Sequence, residues 1–310
     1  MQKVSVISTF WNEATTIKLF VDGLLNQSRT PDEIVLCDGG STDGTLEIIN
    51  QLAQDHPVIN VCIKPGNRSV GRNEAIRNSQ YPIIAVTDVG TVADKDWLKN
   101  LILPFENDPN VSAVSGFFKI KPETFFEEVS ALLMLNDHDH IDPKTWLPSS
   151  RSVAFTKVAW QKAGGYPEYT KYNEDTPFDL SIKKAGYDFT FAKDAVVYWR
   201  PRPNLKSFFK QYYAYAIGDG LDNIYHSNYI RKAIFYLGMF FLVFVSLKFP
   251  YFLIFPILVF CAYLIKRSLH MWQKRLPFKW LFWLTPIVVA YDLANIFGYL
   301  QGLNLKNKIK

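Results

Sequence analysis

The chain has 310 residues, enough for one generous α/β domain with an appendage, and its formal net charge is only +5. Its three cysteines, Cys37, Cys62 and Cys261, show neither the spacing of a disulfide framework nor a CxxC metal pair, and they read as small core residues. The averages conceal a division: apolar and aromatic residues crowd into the last third, so the chain joins two materials.

Met1-Gln2-Lys3 leads at once into a short β-like run and then Trp11-Asn12-Glu13, without the apolar stretch of a secretory signal, so the N-terminal part is expected to stay in the cytosol. Val4 to Ser8 predicts a strand, and apolar residues at helical spacing predict a helix from Ala14 to Asn26. Glu33 to Cys37 repeats the strand signature, ends in Asp38-Gly39-Gly40-Ser41-Thr42-Asp43-Gly44, and leads into an amphipathic helix from Thr45 to Ala53. Further strands are expected at Val58 to Ile63 and Ile83 to Thr87. This alternation predicts a mainly parallel α/β sheet with helices on both faces. Ligands of such sheets lie beyond the carboxyl ends of the strands, which directs attention to Asp38 and Asp88. Val111 to Ile141 is less regular, and Ser149 to Gly165 with Asn173 to Gly186 predicts a second, mixed half.

From Ala233 to Ile265 the only charge is Lys248. As a helix this run would be about 50 Å long, too long for one untilted crossing of a hydrocarbon core of roughly 30 Å and sufficient for two short ones. A hairpin turning at Lys248-Phe249-Pro250 is expected, followed by a basic segment, Lys266 to Lys279, and an apolar one, Trp280 to Leu300, that contains Pro286, Asp292 and Asn295. Arg231, Lys232, Lys266, Arg267, Lys274, Arg275 and Lys279 favour the cytoplasmic side of such a hairpin. If Trp280 to Leu300 also crosses, Lys306, Lys308 and Lys310 end outside, against the same bias; a re-entrant or interfacial segment is the alternative.

An acid at a strand end beside glycines, as at Asp38 and Gly40, can hold a nucleotide base or ribose, and it can equally close a turn in which Ser41 or Thr42 caps the next helix and Asp43 favours its N-terminus. Asp88 ends the run Ile83-Ile84-Ala85-Val86-Thr87 and opens the loop Asp88-Val89-Gly90-Thr91. A carboxylate there can hold a hard divalent ion that bridges two phosphates.

Together these segments resemble family-two glycosyltransferases, of the membrane-bound type that builds bacterial polysaccharides. Val4 to Ser8 with Asn12-Glu13 resembles the family's nucleotide-binding opening, Asp38 its base-contacting aspartate, and Arg72-Asn73 its Arg-Asn motif near the nucleotide. Asp88 falls on the first acid of the metal-binding Asp-x-Asp element, and Gly90 stands where the second acid usually is. Glu174-Asp175, in Asn173-Glu174-Asp175-Thr176-Pro177-Phe178-Asp179-Leu180, matches the Glu-Asp pair that starts a helix and whose aspartate serves as general base. Pro148 to Phe155 and Gly164 to Glu168 look like the segments that line the acceptor side.

The resemblance implies a GT-A fold over residues 1–228, an inverting transfer, and a membrane region over 229–310 of two or three transmembrane or interfacial helices. Its implied donor site comprises Ser8, Phe10, Asn12, Glu13, Asp38, Gly40, Arg72, Asn73, Thr87, Asp88, Val89 and Gly90, with Asp88 holding Mg2+ or Mn2+. Glu174 and Asp175 are its implied catalytic acids, and Arg200, Arg202, Lys210, Gln211 and Tyr212 resemble the stretch that closes over the diphosphate. The processive synthases carry Gln-x-x-Arg-Trp there; Gln211-Tyr212-Tyr213-Ala214-Tyr215 lacks the Arg-Trp pair, against a polymerase. The partners implied are a nucleotide-diphospho-sugar, with UDP favoured, a glycan or lipid-linked acceptor and the inner membrane, with the catalytic domain facing the cytoplasm; no nucleic acid is implied. Two alternatives differ in class: a scaffold whose transferase site has decayed, which Gly90 would suit, and a nucleotidyltransferase, against which Ser8 to Glu13 lacks Gly, Lys and Arg.

Overall fold

The computed structural model describes residues 2–134, 141–142, 145–274 and 276–309; Met1, Arg275 and Lys310, used above for the expected topology, lie outside them. In chain order the elements are β1 (Val4–Phe10), α1 (Ile17–Leu25), β2 (Glu33–Asp38), α2 (Thr45–Asp55), β3 (Ile59–Ile63), α3 (Arg68–Asn78), β4 (Ile83–Val86), β5 (Thr91–Ala93), α4 (Trp97–Asn107), β6 (Ala113–Ile120) and α5 (Phe125–Met134). They continue with β7 (Val153–Thr156), α6 (Lys157–Ala163), α7 (Asp175–Lys184), β8 (Phe189–Trp199), α8 (Leu205–Asp222), α9 (His226–Lys248), α10 (Ile254–Ser268) and α11 (Trp280–Ile309). The chain forms two compact units, Met1–Lys121 with Asn136–Arg200, and Pro122–Leu135 with Pro201–Lys310. The boundary expected at 228/229 falls inside α9, and α5 and α8 belong to the second unit.

In the first unit eight strands form one sheet in the order β3-β2-β1-β4-β7-β6-β8-β5. β3, β2, β1 and β4 run parallel, while β7 is antiparallel to both β4 and β6. Ile34 to Cys37 of β2 and Ile83 to Val86 of β4 read as continuous apolar runs because both faces of the sheet are covered there. Val4, Val6, Ile34, Leu36, Ile83 and Ala85 pack on one side with α1, α2 and α4, through Phe20, Ile49 and Trp97. Ile7, Val35, Cys37, Ile84 and Val86 pack on the other with α3, α6 and α7, through Ile76, Trp160 and Phe178. The period of two along each strand divides these sets.

One glycine sets how near α3 comes to β1. A Cβ at Gly71 would stand 2.1 Å from Thr9 Oγ1, so no other residue fits here without moving the helix that carries Arg72. α1 starts at Ile17, three residues after the predicted start at Ala14, because Asn12 takes a left-handed φ of 56° and the Glu13 carbonyl accepts from the Thr16 and Ile17 amides. All three cysteines are free; Cys37 is buried as expected, whereas Cys62 is half-buried and Cys261 exposed.

In the second unit α9 and α10 are joined through Phe249 and a short 3-10 turn, Pro250–Leu253, the place predicted for the hairpin. His226–Lys248, Pro250–Gln273 and Trp280–Lys308 are each long and apolar enough to cross a membrane by length and composition. α8 and α11 meet backbone to backbone: a Cβ on Gly220 would lie 2.4 Å from the Tyr299 carbonyl oxygen, and one on Gly302 2.3 Å from that of Ile217. Small residues at such a seam are what lets two apolar helices approach without a side-chain layer between them. Beside it, Phe126, Val129 and Leu133 of α5 form a core with Phe208 of α8 and Trp280, Leu284, Ile287 and Val288 of α11.

Candidate active site

Parallel β1, β2 and β4 all end at one edge of the sheet, which puts Phe10, Asp38 and the Thr87-Asp88 loop there. Because β7 runs antiparallel to β4, with Val86 opposite Val153, the residues that enter β7, Ser149-Ser150-Arg151, arrive at the same edge. α3 supplies Arg72, and the N-terminus of α7 supplies Glu174 and Asp175.

These elements converge on one guanidinium. Arg72, its side chain 2 % exposed, makes ion pairs of 2.7 Å to Asp88 Oδ1, 2.8 Å to Glu174 Oε1 and 3.2 Å to Asp175 Oδ1. Its Cζ stands 5.3 Å from the centre of the Tyr166 ring. Burial alone would favour a neutral arginine, but the carboxylates, Asp88 foremost, outweigh it and hold the proton more firmly than usual. Burial would likewise raise Asp88, and Arg72, then Arg151 and Arg68, hold it below the ordinary carboxylate range.

Asp175 is 25 % exposed and collects donors on both oxygens. Ser150 Oγ donates to Oδ1 at 2.6 Å, while the Ser150 amide at 3.1 Å and Ser149 Oγ at 3.3 Å donate to Oδ2. Ser150 Oγ also shares a hydrogen bond of 2.9 Å with the Tyr166 hydroxyl, and the Tyr166 ring stacks on Phe178 of α7 at 3.9 Å. Glu174 precedes α7 as its N-cap residue without making a side-chain cap, and its carboxylate, 5 % exposed, faces Arg72. The capping explanation for the acid pair therefore does not account for Glu174.

The other expected donor residues form a second cluster. Asp38 is buried and accepts from the Ser41 amide at 3.0 Å and Ser41 Oγ at 2.6 Å; Ser41 Oγ in turn accepts from the Asn12 amide at 2.9 Å. Asn12 Oδ1 accepts from the Thr42 amide at 2.8 Å, and the Glu13 amide donates to Thr45 Oγ1 at 2.8 Å. Gly40 takes a φ of 99°, and the α2 N-cap is Gly44 at 91°, so neither Ser41 nor Thr42 caps α2. Ser8 is buried in β1 with its hydroxyl unpartnered, Thr87 Oγ1 bonds Thr91 Oγ1 at 3.0 Å, and Val89 is buried.

Asn73 points elsewhere. Its Nδ2 donates to the Tyr166 carbonyl at 2.9 Å and Glu168 Oε1 at 2.8 Å, and its Oδ1 accepts from Trp160 Nε1 at 3.0 Å and the Tyr166 amide at 2.9 Å, so it fastens α3 to the 160–168 segment. Arg200 closes the first unit, whereas Arg202, Lys210, Gln211 and Tyr212 lie in the second. There Arg202 Nε donates to Gln211 Oε1 at 3.1 Å, Lys210 is exposed, and Tyr212 packs on Phe208 and Tyr291. Sequence reasoning missed Asp179, one turn beyond Asp175 on the same helix; it is buried with Oδ2 unpartnered, and burial, then the charge of Asp175, push its carboxyl well up. The i, i+4 spacing of two aspartates was the available signal.

Asp88 has the chemistry a hard divalent ion requires. Its carboxylate is 32 % exposed, and Arg72 engages only Oδ1. Among the described residues no three His, Cys, Asp or Glu side chains gather in a cage, which fits an ion that takes one or two protein carboxylates and completes its shell with phosphate and water.

A mixed sheet of this order, with acids at its carboxyl edge arranged around one arginine, is the arrangement the resemblance to GT-A glycosyltransferases led one to expect. The Glycosyl transferase family 2 model matches residues 5–160, and that of Glycosyl transferase family group 2 matches 83–294. The chain is 30 % identical over 228 residues to the succinoglycan biosynthesis protein ExoA of Rhizobium meliloti (strain 1021), covering 69 % of this chain and 68 % of that one. It is 25 % identical over 223 residues to the O-antigen chain rhamnosyltransferase RfbN of Salmonella typhimurium (strain LT2), covering 67 % and 70 %. The mannosyltransferase PcManGT of Pyrobaculum calidifontis, solved in complex with GDP-Man and Mn2+, shares the fold with a TM-score of 0.61 at 20 % identity, over 96 % of this chain and 87 % of that one. The chain belongs to glycosyl transferase family 2, as its motifs led one to expect.

Proposed function

We propose that the protein transfers a sugar, with inversion, from a nucleotide-diphospho-sugar, UDP-linked by preference, to a lipid-linked glycan at the cytoplasmic face of the inner membrane during polysaccharide synthesis. The observation that carries this reading is the shared guanidinium: Arg72 holds Asp88 at 2.7 Å and Asp175 at 3.2 Å, so a donor-side and an acceptor-side carboxylate face one point. The names of RfbN and ExoA, an O-antigen rhamnosyltransferase and a succinoglycan biosynthesis protein, support polysaccharide synthesis.

In this mechanism Asp175 accepts the proton of the acceptor hydroxyl as its oxygen attacks the anomeric carbon. The bond from that carbon to the diphosphate breaks on the opposite side, which inverts the configuration. Glu174, sequestered against Arg72, keeps the guanidinium in place and has a positioning role. Asp88 would hold Mg2+ or Mn2+, which supplies charge compensation for the diphosphate leaving group. Asp38 and Asn12 shape the loop at which the base and ribose are read.

A Cβ at Gly90 meets nothing within 4 Å, so Gly90→Asp should fold normally, remain active, and reach half-maximal activity at a lower divalent-ion concentration than the wild type. A metal titration that shows lost activity or a raised requirement would count against Asp88 as the metal ligand. The acceptor is tested by incubating membranes with radiolabelled nucleotide sugars and extracting lipid. Label is expected in the lipid fraction, and its confinement to water-soluble product would sink the lipid-linked acceptor.

Two short spans returning to the cytosol satisfy the charge bias of the flanking residues. In a background without the native cysteines, single cysteines near Ser41 and Gln273 should therefore react only from the cytosol, and one near Lys248 from outside. Outside labelling at Gln273 would defeat the hairpin.

A further inference from the structure

The loop that opens with Asp88 is held from two sides, and a second arginine links them. β4 and β7 pair antiparallel with Ile83 opposite Thr156 and Val86 opposite Val153, and the same register continued for two residues brings Arg151 level with Asp88. On the other side the Thr91 amide and hydroxyl donate to the Asp88 carbonyl at 3.0 and 2.7 Å, and Thr91 pairs with Trp199 of β8. Arg151 joins the two: its Cζ is 4.7 Å from the centre of the Trp199 ring and 5.2 Å from that of Phe118, which meets Trp199 edge to face at 6.2 Å. Its Nη1 donates to Ser149 Oγ at 3.0 Å, and Ser149 Oγ donates in turn to Asp175 Oδ2 at 3.3 Å. Two rings and a hydroxyl thus fix a half-buried guanidinium between the Asp88 loop and the acid of α7.

The electrostatics agree with the register. Burial pushes the Asp88 carboxyl up, and Arg72, then Arg151, then Arg68 are the charges that pull it down. A departing diphosphate carries more negative charge than a divalent ion on the single carboxylate of Asp88 would offset, so the site needs further positive charge on that side. Arg72 is shared among Asp88, Glu174 and Asp175. Arg68 leans toward Glu174 at 3.9 Å with its side chain 65 % exposed. Arg151 is the one that two rings hold in place beside the Asp88 loop, and its flat, paired donors match phosphate oxygens two at a time.

We propose that Arg151, clasped between Phe118 and Trp199, binds the terminal phosphate of the donor's nucleoside diphosphate and stabilises the charge that gathers there as the sugar departs. This rests on the transfer proposed above and gives its leaving-group side a residue. The acceptor oxygen bonds to the anomeric carbon and gives its proton to Asp175. The bond from that carbon to the phosphate oxygen breaks, and its electron pair stays on the oxygen that Arg151 binds. The test uses the full chain in mild detergent with Mn2+ present. UDP, GDP and dTDP are titrated by calorimetry, and whichever the wild type binds most tightly is compared with its nucleoside monophosphate. The wild type should prefer the diphosphate at least tenfold. Arg151→Met keeps an apolar stem between the rings; it should bind the monophosphate as the wild type does and lose the preference for the diphosphate. Arg151→Lys keeps the charge without the paired donors and should retain part of that preference. An arginine that only clasps Phe118 to Trp199 would weaken both ligands by the same factor in Arg151→Met; that result overturns the proposal, as does a preference that the substitution leaves intact. Where Arg151→Met does not fold, Arg151→Lys decides on the same two ligands: a reduced preference at unchanged monophosphate affinity supports the role, and any other result removes it. In each of these failures the wild type still binds diphosphate, so the transferase reading stands. If the wild type binds none of the three diphosphates, the nucleotide-sugar reading falls and Arg151's role falls with it.

Discussion

Asp175→Asn should keep nucleotide-sugar affinity within a few-fold of the wild type while lowering turnover by about 10² or more, the scale of a lost general base. The carboxylate is partly open to solvent, and its contacts are to Ser149, Ser150 and Arg72. An asparagine fills the same space and keeps an oxygen for Ser150, but it cannot take a proton from a sugar hydroxyl. Calorimetric titration with donor, paired with turnover at saturating substrate, separates the two effects. Lost donor binding with normal turnover would reverse the assigned roles.

For Asp88→Ala the expected result is loss of transfer together with loss of metal-dependent donor binding, because the diphosphate then has no carboxylate-held ion to offset its charge. Arg72 keeps Glu174 and Asp175, so the site should stay assembled. The pH dependence offers an independent check. Burial opposes the charged form of Asp88, but Arg72, with Arg151 and Arg68, holds the folded-state pKa below the ordinary value. A depressed carboxylate stabilises the fold above its unfolded pKa, and the contribution disappears as pH falls through the lowered one. The variant should thus be less stable than the wild type at neutral pH, with the difference closing in acid. Full activity of the variant in excess chelator would remove Asp88 from the metal role.

The strands of the parallel half were legible because Ile34 to Cys37 and Ile83 to Val86 are apolar at every position and Val4 to Ser8 is mostly so, as a sheet covered on both faces demands. The acids at the strand ends were legible for a related reason: a polar residue that stops an apolar run marks the sheet edge. Arg72 was read as a donor contact, and no local pattern could reveal that it gathers Asp88 and Asp175, since those partners are 16 and 103 residues away along the chain. Nor could a local pattern show that Asn73, its neighbour, bonds Trp160 and Tyr166, since successive helix residues face different directions. The boundary at 228/229 followed the onset of strong hydropathy. The compact units divide elsewhere, because α5 and α8 pack with α11.

That last association bears on how the enzyme could be shortened. A fragment ending at residue 228 would stop just ahead of the long apolar run and would be the natural choice for work without detergent. It would retain α5 and α8 but lose Trp280, Leu284, Ile287 and Val288, which cover Phe126, Val129, Leu133 and Phe208. Gly220 would lose the Tyr299 backbone lying against it. Such a fragment carries a bare apolar face of its own making, and its solubility depends on replacing those exposed side chains or on removing α5 and α8 with the rest.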